Sequence, residues 1–117
     1  MTVDKFEQKV IQVAAYFAYI YRCSTVDKTT NTVKLRLHIT SDSFIQVYAN
    51  TVKDLYSYAL VLHRQRLYGR DCEGGIWHRH PHHNPADHDI SPEGSKPISI
   101  EAFLTEAEHI LMDEGIL

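Results

Sequence analysis

The stretch VKLRLHI, residues 33–39, alternates strictly between apolar and polar side chains. Successive side chains of a β-strand point to opposite faces, so a period of two predicts a strand with one buried and one solvent-facing side. The turn-forming sequence TSDS, 40–43, and a second extended run from Phe44 to Ala49 follow directly. The pattern therefore predicts a β-hairpin within a sheet that is covered on one face.

Three further segments are predicted to continue this sheet. LYSYALVLH, 55–63, is rich in aromatic and aliphatic residues, which favours a third strand. RQR, 64–66, is predicted to turn the chain into a fourth strand from Leu67 to Cys72. The EGG sequence interrupts that strand, and Ile76 to His80 is predicted to be extended again until Pro81 ends it.

Helical patterns precede and follow the predicted strands in the sequence. Apolar residues recur at helical spacing from Asp4 to about Tyr21, and the polar run STVDKTTN, 24–31, is then predicted to be a loop. Near the other end Ser99 occupies an N-cap position, with Ile98 and Phe103 spaced as a hydrophobic staple. We therefore expect a second amphipathic helix there.

These elements predict an α+β fold with an N-terminal helix, a four- to five-stranded antiparallel sheet and a C-terminal helix. A chain of 117 residues has the size of one domain. We expect a single domain over 1–117, divided into a leading helix and loop (1–32), the sheet (33–80), a His- and Pro-rich loop (81–97) and the C-terminal helix (98–117).

The charge is distributed unevenly along the chain, which indicates what kind of ligand the protein can bind. Residues 1–86 carry 11 Lys and Arg against 7 Asp and Glu, a net charge of +4, whereas residues 87–117 carry one Lys against eight acids, a net charge of −7. A mildly basic body is suited to binding an anion.

The two cysteines form no CxxC pair, and no stretch has the length and apolarity of a membrane span. We expect a cytoplasmic protein that does not contact a membrane.

Five of the eight histidines lie between His78 and His88. In an extended WHRHP segment, His78 and His80 point to the same side, and such a pair is suited to binding zinc or another divalent metal. A third ligand is then expected from the remaining clustered histidines or from Asp71. The sequence does not complete the common HxHxDH pattern, because His82 stands where that pattern has Asp.

The same residues also fit metal-free cleavage of RNA, which needs a general base, a general acid and cations for the phosphate. His78 and His80 are the predicted base and acid, and Asp71 is predicted to orient an imidazole. The arginines on the two neighbouring strands, Arg70 and Arg79, are predicted to hold the phosphate. Aromatic side chains nearby, Tyr68 and Trp77, are predicted to stack on an unpaired base.

Across about two-thirds of its length, from about Val33 to Leu111, the chain resembles the small TumE-like toxins of prokaryotic toxin–antitoxin pairs. The resemblance rests on VKLRLHIT, YSYALVL, LYGRDCE, WHRHP with its trailing histidines, and the closing ISIEAFLTEAEHIL. The step YGRD, 68–71, departs from the Tyr-Asp-Asn version of that family. The resemblance implies a toxin that arrests growth by attacking RNA or translation, and an antitoxin with a DNA-binding domain.

The sequence thus predicts the toxin component of a toxin–antitoxin pair, an endoribonuclease that uses His and Arg acid–base chemistry and no cofactor. Two alternatives stay open. One is a metal-dependent hydrolase in which His78, His80 and His88 bind zinc or another divalent metal, and the other is a non-enzymatic binding subunit. The expected partners are the cognate antitoxin and RNA or the ribosome, and a homo-oligomer is a further possibility.

Overall fold

The computed structural model describes residues 1–82 and 84–117. Within them, a helix, six antiparallel strands and a second helix follow one another along the chain, and the strands are hydrogen-bonded in chain order. The elements are α1 (Val3–Ala14), β1 (Arg22–Lys28), β2 (Thr32–Thr40), β3 (Ser43–Asn50), β4 (Leu55–Leu62), β5 (Gln65–Glu73), β6 (Ile76–His80) and α2 (Ile100–Asp113). The predicted α+β architecture is confirmed.

The hydrophobic core lies between one face of the sheet and the two helices. The apolar residues of the alternating strand β2 are all buried there, as their period of two predicted. Phe6 and Val10 of α1 and Phe103 and Leu104 of α2 cover them from the helix side. Helix α2 is capped as expected, because the Ser99 side chain accepts a hydrogen bond from the Ala102 N–H.

The N-terminal region differs from the sequence prediction. Helix α1 ends at Ala14 rather than near Tyr21, and the segment 24–31 contributes to an additional strand instead of a loop. That strand, β1, pairs antiparallel with β2, with Arg22 opposite His38. Most of its side chains are exposed because it is the edge strand of the sheet, so its sequence lacks the apolar alternation that marks a buried strand. The sheet therefore begins before residue 33 and has six strands.

The turn between β4 and β5 begins one residue earlier in the sequence than predicted. His63 and Arg64 form it with φ angles of 50° and 67°, and β5 starts at Gln65. Two successive residues with positive φ match the right-handed twist of a two-residue hairpin. Non-glycine residues rarely adopt this conformation, so His63 and Arg64 carry none of the residue types that usually indicate such a turn.

The second face of the sheet carries no helix, and we call it the open face. It is formed by alternate residues of the strands, whose neighbours across the sheet follow the observed register. Its side chains include those of Arg22, Ser24, Asp27, Lys34, Arg36, His38, Phe44, Gln46, Tyr48, Asn50, Leu55, Ser57, Ala59, Val61, Arg66, Asp71, Glu73, Ile76, His78 and His80. Neither helix in the described part of the chain is long and apolar enough to cross a membrane.

Candidate metal and catalytic site

Two histidines and an aspartate meet on the open face because of the register between β5 and β6. Asp71 lies directly opposite His78, and Gly69 lies opposite His80. Since positions two apart on a strand share a face, His78 and His80 both stand beside Asp71. A Cβ atom at position 69 would make an ordinary contact of 3.8 Å with the His80 side chain and a tight one of 3.2 Å with the carbonyl oxygen of Tyr58.

A third histidine, His88, is brought to the same place by the loop that follows β6. The backbones of Arg79 and Asp89 exchange two hydrogen bonds, of 3.0 and 2.8 Å, which tie this loop to the edge of the sheet. The His88 ring then stacks on that of His78, with 4.9 Å between centroids and 15° between planes. We refer to Asp71, His78, His80 and His88 as the histidine site.

The ligand atoms of the histidine site converge closely. The Nε2 atoms of His78 and His80 are 3.1 Å apart. Asp71 Oδ2 lies 3.5 Å from the first of these nitrogens and 3.2 Å from the second. One ring nitrogen from each of His78, His80 and His88 lies within 4.8 Å of the other two.

His80 is held in a fixed orientation by a backbone carbonyl. Its Nδ1 atom is 2.9 Å from the carbonyl oxygen of Pro85, which can only accept, so Nδ1 carries the proton and donates. In the neutral ring the Nε2 lone pair then points at His78 and Asp71. Burial lowers the pKa of His80, and the positive charge of Arg66 lowers it further, which favours this neutral form.

Asp71 is also fixed by a neighbour. The hydroxyl of Ser57, on β4, donates a 2.7 Å hydrogen bond to Asp71 Oδ1. This contact leaves Oδ2 to face the two imidazoles. The carboxylate therefore presents one oxygen to the histidine site while the other is held by the sheet.

These distances match the geometry of a metal site. In a tetrahedral zinc site with metal–nitrogen bonds of about 2.0–2.1 Å, neighbouring ligand atoms lie about 3.3 Å apart. The 3.1 Å between the Nε2 atoms of His78 and His80 is close to that value. A ligating histidine usually donates its other ring N–H to a carbonyl or carboxylate, as His80 does to Pro85.

The same spacing argues against His78 and His80 as a base–acid pair across a phosphate. The attacking and leaving oxygens lie on opposite sides of the phosphorus atom, and each needs a catalytic nitrogen at roughly 2.6–3.2 Å. Two such nitrogens stand more than about 5 Å apart. The Nε2 atoms of His78 and His80 are only 3.1 Å apart, so both would lie on the same side of a bound phosphate.

Two of the predicted substrate-binding residues need correction. Arg70 is fully buried on the helix side of the sheet, where it pairs with Glu106 of α2 at 2.7 Å. Tyr68 is buried on that side too, and its hydroxyl donates to the same carboxylate. Because both lie on the face opposite the histidine site, neither reaches a substrate bound there.

Arg79 and Trp77 also point away from the histidine site, as alternation along β6 requires. The Arg79 guanidinium pairs with Asp89, its Nε lying 2.9 Å from Oδ2, so it anchors the loop that carries His88. Trp77 packs partly buried against the core beside Tyr58. Neither side chain therefore faces the place where a phosphate or an unpaired base was predicted to bind, and Arg79 instead ties the loop that carries His88 to β6.

The remaining clustered histidines do not join the site within the described residues. His82 Nε2 lies 2.7 Å from a carboxylate oxygen of Glu114 near the end of the chain. His83 lies outside the described residues. Sequence reasoning missed Ser57 and the Pro85 carbonyl, since a strand serine two elements away and a backbone oxygen carry no motif that would reveal them.

No protein-family model, curated protein or solved structure matches the chain. The resemblance to the TumE-like toxins therefore stays a prediction. The function must be argued from the histidine site and the surface around it.

Proposed function

We propose that this chain is a metal-dependent hydrolase that binds a divalent ion through His78, His80 and His88. The observation that carries the proposal is the convergence of one ring nitrogen from each histidine within 4.8 Å. Three protein ligands that leave a fourth position open are typical of catalytic zinc sites, whereas structural sites are closed by four. Imidazole donors suit zinc and other late divalent metals.

Asp71 has the position of a general base in this proposal. Its Oδ2 lies against two of the proposed ligands, and Ser57 holds its other oxygen in place. A bound divalent ion lowers the pKa of its water and stabilises negative charge on a phosphoryl oxygen. Asp71 would accept the proton of the attacking water at Oδ2.

We propose RNA as the substrate and growth arrest as the biological result. The resemblance to the TumE-like toxins supports this choice, and so does the basic body of the chain. A phosphodiester develops negative charge on its oxygens as it is attacked, which a divalent ion is suited to stabilise. An antitoxin with a DNA-binding domain is part of the same proposal.

Metal-independent cleavage of RNA is the second candidate. Its support is the contact of His80 Nδ1 with the Pro85 carbonyl oxygen, which favours the neutral tautomer whose Nε2 can accept a proton. The acid would then be a group other than His78, since the 3.1 Å spacing places both nitrogens on one side of a phosphate. His88 does not meet this spacing either, because its ring nitrogen lies within 4.8 Å of those of His78 and His80, so the acid would be a group outside these three histidines.

Metal binding is tested by calorimetric titration of the chelator-treated protein with Zn²⁺ and Mn²⁺. We expect one ion per chain, and we expect His88→Ala to weaken binding at least about tenfold. The matched control is His109→Ala, which removes an exposed histidine from α2. If no ion binds, or if both variants bind the ion like the parent protein, the proposed metal site is wrong.

Activity is tested by incubating RNA with the metal-loaded protein and with the same protein in EDTA. Cleavage that stops in EDTA and returns with added metal supports the hydrolase. Cleavage that persists in EDTA but is lost in His80→Gln supports the metal-independent candidate. A protein that cleaves no RNA with either metal, and whose expression does not arrest growth, is a binding subunit.

A further inference from the structure

The open face carries a group of cations that have no carboxylate partner. Lys34 and Arg36 of β2 and Arg22 of β1 form no ion pair within the described residues. By contrast, the cations Lys28 and Arg70 each contact two carboxylates. Unpaired cations gathered on one side of a sheet form a surface suited to a polyanion.

Arg36 is the most informative of these cations. Its Nε atom is buried and has no hydrogen-bond partner among the described residues. Its guanidinium carbon lies 4.5 Å from the ring centre of Phe44, which is a cation–π contact. A buried donor without an acceptor is costly, and a shift of the Arg36 side chain that brought this N–H to a bound phosphate or base oxygen would remove the cost.

The acidic residues are distributed in the opposite way. Four of the eight acids between 87 and 117 lie on α2, which packs on the helix side of the sheet; they are Glu101, Glu106, Glu108 and Asp113. On the open face the carboxylates near the cations are those of Asp27, opposite Lys34, and Asp42 in the β2–β3 turn. Asp42 is already paired with His63. A polyanion is therefore attracted to the open face and repelled by the helix side.

Aromatic side chains stand among the cations and lead toward the histidine site. Tyr48 of β3 lies between Lys34 and Ser57 in the strand register, and Ser57 is followed by Asp71 and then by His78. One continuous row thus runs from Lys34 to the histidine site. With strands about 4.8 Å apart, four steps across the sheet span about 19 Å.

We propose that the open face binds single-stranded RNA, with phosphates on Lys34 and Arg36 and an unpaired base stacked on Tyr48. Cations that follow the backbone, combined with aromatic rings on which bases stack, are how sheets bind single strands. A hollow of about 370 Å³ beside Arg36 and Phe44 offers room for a further base. The strand would then continue to the histidine site, a step that rests on the proposed function.

The test is the binding of a fluorescein-labelled, mixed-sequence RNA of about twelve nucleotides, followed by fluorescence anisotropy in EDTA at several salt concentrations. Lys34→Gln and Arg36→Gln should each lower the slope of log K against log salt by about 0.7, because each removes one phosphate contact. Tyr48→Leu should weaken binding roughly five- to hundredfold and leave the slope unchanged.

The control is Lys5→Gln, which removes an equal charge from α1 on the far side of the sheet and should bind RNA like the parent protein. Circular dichroism verifies that each variant is folded. Duplex RNA of the same sequence should bind more weakly than the single strand, since paired bases cannot stack on Tyr48. No binding of the single strand, equal binding of the duplex, or an equal loss in Lys5→Gln would each overturn the inference.

His88→Ala separates this inference from the proposed function. His88 is exposed and lies outside the row of cations, so the variant should bind RNA like the parent protein while its cleavage is lost. RNA binding that depends on Lys34 and Arg36, without any cleavage by the parent protein, would support the binding face and contradict the hydrolase. Cleavage that is unaffected by Lys34→Gln, Arg36→Gln and Tyr48→Leu would support the hydrolase and contradict the binding face.

Discussion

Arg70 and Glu106 form an ion pair across the core side of the sheet, with 2.7 Å between Arg70 Nη2 and Glu106 Oε2. The arginine is fully buried, and its other nitrogens donate to the Tyr68 hydroxyl and to the carbonyl oxygen of Glu93. One side chain thus joins β5, α2 and the loop before α2. Since Asp71 is the next residue on β5, this network also fixes the strand that carries part of the histidine site.

Glu106→Ala should therefore destabilise the protein by about 3 kcal/mol, because it leaves the buried Arg70 charge with only the more distant Glu93 carboxylate, at 3.5 Å. Asp113→Ala removes an exposed acid from the same helix and should change stability by less than about 0.5 kcal/mol. Urea unfolding followed by circular dichroism measures both values. Equal effects of the two substitutions would mean that Arg70 does not depend on Glu106.

Leu37→Ala should cost about 2–5 kcal/mol in the free energy of unfolding, since Leu37 is fully buried in the middle of β2 and the change leaves a cavity. Val52→Ala is the matched control: this aliphatic residue lies in the β3–β4 turn and is 72% exposed. We expect it to be nearly neutral in the same urea titration. A small effect of Leu37→Ala would contradict the assignment of the core face.

The loop that carries His88 should respond to acid through Asp89. Hydrogen bonds from Ser91, together with the Arg79 guanidinium, lower the pKa of Asp89 from 3.8 to about 2. A carboxylate with a lowered pKa stabilises the folded state above its unfolded pKa, and this contribution is lost as the pH falls through the folded value. The stabilisation is therefore complete above pH 3.8 and disappears toward pH 2.

Asp89→Asn should consequently be less stable than the parent protein at pH 5, and the difference should shrink as the pH falls toward 2. The difference in urea midpoint between the two proteins, measured at several pH values, isolates this group from the other carboxylates. A difference that does not vary with pH would show that the Asp89 charge does not hold the loop.

Much of the sheet could be predicted because its strands alternate between apolar and polar residues, as β2 does. The start of α2 could be predicted because its N-cap, Ser99, is a standard capping residue. Strand β1 could not be, since an exposed edge strand is stabilised by backbone pairing rather than by an apolar pattern. At the histidine site, the HxH spacing identified His78 and His80. The positions of Asp71 and His88 depend on the register with β5 and on the Arg79–Asp89 backbone pairing, which are long-range features.

Arg70 shows the complementary error. Its place beside Asp71 in the sequence suggested a shared site, but adjacent residues on a strand point to opposite faces. A buried arginine is rare, so the sequence favoured an exposed role. Only the position of Glu106 on α2, 36 residues later, explains how the charge is accommodated.

Asp71 is either a general base or a fourth metal ligand, and this decides whether the metal has a free coordination position for water or substrate. If Asp71 is a general base beside three histidine ligands, Asp71→Asn should keep its metal, because the ligands are unchanged, and should lower RNA cleavage by about 10²–10⁴-fold. Ser57→Ala should have a smaller effect in the same direction, since it removes only the hydrogen bond that orients the carboxylate. Metal content and cleavage rate are measured on the same preparations.

Asp87→Asn provides the control for this experiment, because it removes an exposed carboxylate from the loop next to His88. It should keep both the metal and the activity. Loss of the metal in Asp71→Asn would make Asp71 a fourth ligand. The site would then be closed in the manner of structural zinc sites, with no position left for water or substrate, and the hydrolase proposal would be contradicted.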